Sequence, residues 1–551
     1  MSEQSKEVGR AVTQETLAEL SISKQNDEDS AEEQDTHPGE DATPASPSAK
    51  KKKSKKAKLK KAIGIGSKTE EGESSKSSSN PVSKLTTEMV DQLLEMNPSL
   101  RGEVAGLSKE KATEKLKSLS AADLLSGMAV TGKNQKDMAS YKFWQTQPVP
   151  RFDEAPEAEE GPIKIINPEQ VPKEPRALYD GFEWVTMDLT IDKEIEEVYE
   201  LLNGHYVEDD DASFRLSYSP SFLEWALKAP GWKKEWHVGV RASKSQKLVA
   251  FISGIPIDLR IRSKVVRCAE INWLCVHKKL REKRLTPVLI EEITRRYFVH
   301  GIYQAIYTAG VVLPKPVSSC RYFHRPLDWL KLYETGFCAL PTGQVKARQI
   351  TKHHLPSATS IKGLRPMEKK DVKAVHDLNA RNLKRFEMAP EWNEEEVEHW
   401  LLHDESKTAE QVIWTYVVED PSSKQITDFF SFYLLESSVF GNQKHDLLRA
   451  AYMFYYATEK AFQNNDKVLK ERLNQLVLDA LILAKRFSFD VYNAVTNLDN
   501  PLFLEQQKFA RGDGQLHYYL YNYRTPPIAG GVDAKNNADE TKRGGVAVVM
   551  M

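Results

Sequence analysis

No phenylalanine, tyrosine or tryptophan occurs before Tyr141; all 20 Tyr, 20 Phe and 10 Trp of the 551-residue chain lie in its last 411 residues. A segment without aromatic residues buries too little apolar surface to offset its chain entropy. Residues 1–84, dominated by Ser, Glu, Asp, Lys and Gln, are therefore expected to be a disordered tail. Residues 85–140 read as a weakly helical lead-in, with one piece over 87–96 stopped before Pro98 and another over 108–119 capped by Ser108. Long apolar runs are also missing: none reaches the ~18 residues of a membrane span, and no signal peptide opens the chain. A soluble, intracellular, cytoplasmic protein is expected. Cysteine is scarce. Cys268, Cys275, Cys320 and Cys338 show neither CxxC spacing nor the density of a secreted scaffold, and the 13 scattered histidines give no metal-site spacing. Cys275 lies in an apolar run, where a thiol packs rather than reacts.

The net charge of −2 hides a strong asymmetry. An acidic stretch from Asp27 to Asp41 is followed by KKKKSKKAKLKK, residues 50–61, which begins at Lys50, ends at Lys61 and carries nine lysines. Such a block is a solvated charge run, a localisation signal, or an electrostatic attachment to RNA.

The densest chemical signal is EINWLCVHKKLREKRLTPVLIEEITRR, residues 270–296. Ile271, Trp273, Leu274, Cys275 and Val276 form a short run of strand formers. Lys278, Lys279, Arg281, Lys283 and Arg284 crowd the loop that follows, and Thr286-Pro287 opens an amphipathic helix. Pro287 suits a first helical turn, where its missing N–H costs nothing. Free amides, helix dipole and cations converge at one point, as a pyrophosphate requires.

The aromatic-rich part repeats one pattern. FEWVTMDLTIDKEIEEVYELL (182–202) reads as strand, turn and helix, and so does IKGLRPMEKKDVKAVHDLN (361–379). The two-strand unit VGVRASKSQKLVAFI matches YVVEDPSSKQITDFF, with Trp225 and Trp400 at equivalent places before each. Each half continues into a helix and a strand: Pro287 to Arg296 before residues 302–310, and Glu471 to Lys485 before 489–496. A duplicated α/β unit around a mixed sheet is the expected architecture. Only the first copy carries the basic loop; before Leu473 the second has FQNNDKVLKER, with fewer cations and no apolar strand directly ahead.

EINWLCVHK resembles the EINFLCVHK signature of the glycylpeptide N-tetradecanoyltransferase (N-myristoyltransferase) family of eukaryotes, in its fungal form, with Trp273 in place of Phe. KFARGDG, residues 508–514, resembles the second signature, KFGxGDG, with Ala510 in place of Gly. The resemblance continues through YKFWQTQPVP (141–150), YVEDDDASFRLSYSPSFLEWAL (206–227) and YTAGVVLPKPVSSCRYFHR (307–325), and spans essentially all of 141–551. It implies two acetyltransferase-like halves related by a pseudo-twofold axis: 141–345 binding acyl-CoA, and 346–551 supplying the peptide site and the catalytic C-terminus.

The resemblance also implies the site residues. Myristoyl-CoA, a co-substrate with no further cofactor, falls to Tyr141, Lys142, Phe143, Trp144, Trp273, Leu274, Cys275, Val276, Arg281, Glu282, Lys283, Arg284, Leu285 and Thr286. The backbone N–H groups of Trp273 and Leu274 match the oxyanion hole; a main-chain contact tolerates Trp for Phe, although the acyl pocket beside it changes shape. Glu282 replaces a common Ser and brings a carboxylate near the pyrophosphate. The peptide falls to Tyr206, Asp209, Asp210, Asp211, Asn272, Thr308, Tyr322, His324, Gly512 and Asp513. The terminal α-carboxylate, here on Met551 after the uncharged run VAVVMM, matches the base that deprotonates the acceptor glycine. The partners implied are Gly-initiated nascent polypeptides and, through the lysine block, the ribosome. The strand, loop and helix by themselves would equally serve an N-acetyltransferase using a short acyl-CoA, or a non-catalytic acyl-CoA-binding ribosome adaptor.

Overall fold

The computed structural model describes residues 141–551 except 153, 155–158, 208–212 and 406–409, and leaves the side chain of residue 282 undescribed. The tail, the lead-in helices and Asp209, Asp210 and Asp211 lie outside the described residues.

Among the described residues fourteen strands form one mixed sheet. The first half contributes β1 (Phe182–Thr186), β2 (Phe214–Ser217), β3 (His237–Ala242), β4 (Leu248–Ile261), β5 (Lys264–Val276), β6 (Gln304–Ala309) and β7 (Ser318–Pro326). The second contributes β8 (Leu364–Pro366), β9 (Met388–Pro390), β10 (Ile413–Glu419), β11 (Ile426–Val439), β12 (Leu447–Thr458), β13 (Val491–Val495) and β14 (Ala510–Tyr521). Among the described residues eight α-helices pack against them: α1 (Asp192–His205), α2 (Pro220–Leu227), α3 (Leu285–Val299), α4 (Trp329–Glu334), α5 (Lys346–Lys352), α6 (Val372–Leu383), α7 (Glu394–Leu401) and α8 (Asp466–Arg486).

The expected duplication is written in the strand order, β1-β3-β4-β5-β6-β14-β7-β13-β12-β11-β10-β8. Read from either end, the sequence of roles is the same. Among the described strands each half has one parallel pair, β5 with β6 and β12 with β13. The halves also exchange strands. β7 pairs with β13 and β14 pairs with β6, while short β2 joins β11 and short β9 joins β4. These exchanged backbone hydrogen bonds make one continuous sheet of the two copies. Trp225 and Trp400 meet edge to face at 5.3 Å, and their helices are tied reciprocally: the Trp225 indole N–H donates to the His399 carbonyl, and His399 Nε2 contacts the Trp225 carbonyl at 2.7 Å.

Local chemistry explains the helix starts. The Ser219 side chain caps α2 ahead of Pro220, and Asn393 with Glu396 forms a reciprocal capping box on α7. Three expectations are corrected here. The basic segment is a 3-10 turn, Lys278–Lys283, rather than an irregular loop, and α3 begins two residues before Pro287. The second half also has an apolar strand ahead of its long helix: β12 ends at Thr458, a 3-10 turn follows over Glu459–Phe462, and Asn465 caps α8. Each copy therefore repeats strand, 3-10 turn and helix, and the second has fewer cations, with Lys460 the single one in its turn.

Candidate active site

β5 and β6 pair only from Cys268 to Glu270 and from Gln304 to Ile306, and then diverge. Into the gap opens a cavity of about 180 Å³, walled by Asn272, Trp273 and Leu274 of β5, by Tyr307 and Thr308 of β6, and by Ile293 and Tyr297 of α3. Trp144 closes one side, stacked on Tyr307 at 5.7 Å, and Tyr206 and Met551 complete the lining.

A β-bulge sits in the wall. Phe251 pairs with Cys275 and Ser253 with Asn272, so Ile252 alone faces both Trp273 and Leu274. A bulge leaves one residue outside regular pairing and re-aims its neighbours. Trp273 takes a left-handed φ of 53°, uncommon for any residue with a Cβ. Burial pushes the nearby Tyr206 phenol upward, with the Trp273 backbone opposing. Main-chain donors released from regular pairing beside a cavity are what a developing oxyanion needs. The Trp273 indole itself lies on the opposite face, edge-on to Tyr218 at 5.8 Å, and its buried N–H has no partner among the described residues.

The chain terminus arrives at the same cavity as a buried extended segment. The Ala547 N–H donates to Met388 O at 2.7 Å, and Leu498 N–H donates to Val546 O at 2.8 Å. Val548 O accepts from the Tyr518 hydroxyl at 2.7 Å and from Asn497 Nδ2 at 3.1 Å, and the Val549 N–H donates to the Tyr455 hydroxyl at 3.1 Å. Val546, Ala547, Val548 and Met550 are buried. A Cβ at Gly545 would land 2.0 Å from Ala529 O, so only glycine lets the chain enter this slot. The expected burial of VAVVMM is found at four of its six residues, with Val549 and Met551 half-buried.

The cations cluster on the other side of β5. An Arg281 N–H donates to the His205 carbonyl at 2.5 Å at the end of α1. His205 is held down to about 4, first by burial and then by the positive field of His277, Lys247, Lys278 and Arg215. Arg284, at a left-handed φ of 54°, turns the chain into α3 and, like Arg281, Lys283 and Thr286, is exposed. Leu285 is buried. Cys275 is buried, its thiol pushed up to about 12, first by desolvation, with Arg281 opposing. Such a thiol packs and is not a nucleophile. Tyr141 anchors the incoming segment through its hydroxyl to Val312 O at 3.1 Å.

Of the expected site residues, Trp144, Tyr206, Asn272, Trp273, Leu274, Thr308 and Met551 share the cavity. Tyr141, Lys142, Phe143, Cys275, Val276 and the basic turn do not line it. Tyr322 instead lines a small neighbouring cavity with Val549 and Met550. His324 lies beside it on β7, its Nδ1 2.7 Å from Asn493 Oδ1. Burial lowers the His324 pKa, opposed by Asn493 and Asp513. Between Arg511 and Gln515, β14 bulges by three residues opposite Tyr322, and these are Gly512, Asp513 and Gly514 of the second signature. A Cβ at Gly512 would sit 2.4 Å from His324 Nε2, while Asp513 projects exposed. Ala510 is exposed and its φ is not positive, so the methyl added there strains nothing. Sequence reasoning missed Glu270, Tyr455, Asn493, Asn497, Tyr518 and the buried Arg321, whose Nε donates to Gly512 O at 2.9 Å. The one available signal was a charged or amide residue inside an otherwise apolar strand.

A bulged strand walling a cavity between splayed strands, followed across β5 by a cationic helix start, is the arrangement of an acyltransferase. The family models agree. "Myristoyl-CoA:protein N-myristoyltransferase, N-terminal domain" matches residues 162–320, and the C-terminal domain of the same description matches 334–549. The chain is 63% identical over 484 residues to the glycylpeptide N-tetradecanoyltransferase of Aspergillus fumigatus, covering 88% of this chain and 98% of that protein. It is 50% identical over 430 residues to the Saccharomyces cerevisiae protein of the same name, covering 76% and 94%. A crystal structure of Saccharomyces cerevisiae N-myristoyltransferase with bound myristoyl-CoA superposes with a TM-score of 0.71 at 50% identity, covering 74% of this chain and 99% of that one. The chain belongs to the myristoyl-CoA:protein N-myristoyltransferase family. Among the described residues no helix is long and apolar enough to cross a membrane, and no group of residues is arranged to hold a metal.

Proposed function

We propose that the protein transfers a myristoyl group from myristoyl-CoA to the N-terminal glycine amine of proteins. The amine attacks the thioester carbonyl directly, the tetrahedral oxyanion is held by the backbone N–H groups of Trp273 and Leu274, and the α-carboxylate of Met551 takes the ammonium proton. The observation that carries this reading is the arrival of Met551 in the cavity that contains the Trp273–Leu274 bulge. Each oxyanion donor is worth about 3 kcal/mol in acyl transfer. A free α-carboxyl has a pKa of about 3.5 and a terminal amine about 7.8, which sets the gap the proton must cross.

In this reading Tyr141, Lys142, Phe143 and Trp144 hold the CoA together with Cys275, Val276 and the turn from Arg281 to Thr286, whose cations and helix start receive the pyrophosphate. Tyr206, Asn272, Thr308, Tyr322 and His324 line the peptide path, and Asp209, Asp210, Asp211, Gly512 and Asp513 form a wall for a basic peptide side chain. Residues 141–345 are thereby the acyl-CoA half and 346–551 the peptide half, working in the cytoplasm on nascent chains, with the nine lysines of residues 50–61 attaching the enzyme to ribosomes.

Chain-length preference follows from burial. About twelve methylenes at ~0.8 kcal/mol each give a gross ~10 kcal/mol, so an acyl chain two carbons shorter loses ~1.6 kcal/mol, roughly fifteenfold. Acyl transfer to a Gly-initiated peptide, measured with acetyl-CoA and myristoyl-CoA side by side, tests the assignment. Transfer from myristoyl-CoA alone is expected; transfer from acetyl-CoA favours a short-chain acetyltransferase, and binding without transfer favours an adaptor.

A further inference from the structure

Glu270 is an ionisable group in the interior for which neither the fold nor the proposed transfer step has a use. It stands on β5 two residues before Asn272, on the same face of the strand, and is 8% exposed. Asn272 Nδ2 donates to Glu270 Oε1 at 2.9 Å, and Asn272 in turn lines the cavity of the bulge. Glu270 also opens on the other side into a separate pocket of about 20 Å³, walled by Ile257, Trp392, Glu396, Tyr455 and Met551 among others. That volume accommodates one water molecule. Met551 thus lies between two compartments, the transfer cavity and this small, mostly apolar pocket whose polar side chains are Glu270, Glu396 and Tyr455, and lines both.

We infer that Glu270 is the relay acid that clears the proton from the terminal carboxylate after each amine deprotonation. The inference rests on the reading of Met551 as base. In the first step an N–H bond of the substrate ammonium breaks and an O–H bond forms on the terminal carboxylate. In the second, that proton passes to the pocket water while a proton of the water passes to a Glu270 carboxylate oxygen. The terminal group is ionised again, Glu270 is neutral, and the water is unchanged. Glu270 later loses its proton to solvent, which closes the cycle without any other reactant.

Three features make the position suitable. The Asn272 amide fixes the carboxyl at the edge of the transfer cavity, and its N–H···O bond stabilises the ionised form that must accept the proton. Burial works the other way and is the larger effect: desolvation, opposed by Asn272, pushes the carboxyl up to about 7. Glu270 is therefore ionised above about pH 7 and ready to accept, and a single neighbouring proton is enough to neutralise it. The other groups facing the pocket do not compete. Glu396, raised by burial, has a carboxylate oxygen tied to the Asn393 N–H at 2.8 Å in the α7 capping box, and its remaining charged neighbours are Asp258, Arg267 and Glu395. The Tyr455 hydroxyl, raised by burial, accepts the Val549 N–H and stays protonated at working pH.

The test is the pH profile of kcat for full-length Glu270→Gln and Glu270→Asp, with myristoyl-CoA binding measured alongside and a variant carrying one residue beyond Met551 as reference. Gln keeps the shape of Glu and a contact for Asn272, so folding and myristoyl-CoA affinity are expected to be unchanged. The expected result is a kcat lowered about tenfold or more in Glu270→Gln, loss of the acidic limb near pH 7, and partial recovery of both in Glu270→Asp. An unaltered kcat and limb in Glu270→Gln overturns the relay, as does a change confined to KM or thermal stability. If the extended variant is inactive while Glu270→Gln behaves as the parent, the relay alone fails. If the extended variant is fully active, the terminal base fails and the relay falls with it.

Discussion

Two hydroxyls hold the terminal segment in place, and removing them separately grades how far the position of the C-terminus controls turnover. In Tyr518→Phe the Val548 carbonyl loses its 2.7 Å donor but keeps Asn497 Nδ2 at 3.1 Å. Its cost is a single net hydrogen bond, about 1 kcal/mol. In Tyr455→Phe the Val549 N–H loses the acceptor it has at 3.1 Å, two residues from the terminus. An amide left unsatisfied in the interior costs more, about 1–3 kcal/mol. Since 1.4 kcal/mol is a factor of ten in an equilibrium, Tyr455→Phe releases the last residues roughly up to a hundredfold more often than the parent. Neither ring loses its packing, because Phe fills the same volume. The assay is steady-state transfer from myristoyl-CoA to a Gly peptide, with acyl-CoA affinity measured separately. A kcat decrease in the order Tyr455→Phe greater than Tyr518→Phe, at constant acyl-CoA affinity, is expected. Equal activity of both variants and the parent would refute the claim that the terminus must be held.

Gly512→Ala places a Cβ against His324 Nε2, a 2.4 Å approach that the ring relieves only by turning off Asn493; a raised peptide KM with unchanged myristoyl-CoA binding is expected, and unchanged KM counts against His324 as a groove residue. Asp513→Asn is expected to reduce the advantage of peptides with Lys over Ala a few residues after the glycine, by the ~0.2–1 kcal/mol of a partly exposed ion pair; an identical Lys advantage in both enzymes removes Asp513 from the wall. Deleting residues 1–84 is expected to leave catalysis unchanged and to abolish a ribosome co-sedimentation that, if nine lysines meet phosphates, falls steeply with salt; co-sedimentation retained after deletion refutes the proposed attachment.

Much of this was legible in the sequence because it is local. The β3–β4 and β10–β11 hairpins, the strand and helix order of both halves, and the burial of VAVVMM follow from period, turn residues and missing charge. Strand exchange was not legible: nothing in Ser318–Pro326 or Ala510–Tyr521 tells which half supplies its neighbour, since the period of two names a face and not a partner. The bulge at Trp273 was hidden for the same reason, because it is defined by the opposing register of Phe251 and Ser253. The short apolar stretch before α8 was missed because Glu459, Lys460 and Asn465 separate β12 from the helix that its copy reaches through cations. Glu270 was passed over as one letter of a motif, and only burial on both sides of β5 marks it out.

The most direct test is a single-turnover comparison between the native chain and one whose Met551 ends in an α-carboxamide, assembled by ligating a synthetic C-terminal peptide. The two differ by one charge at the same volume, so myristoyl-CoA binds both equally. If the terminal carboxylate takes the ammonium proton, the carboxamide form transfers myristate at least about a hundredfold more slowly, in the range of general-base contributions. Equal single-turnover rates would contradict that role.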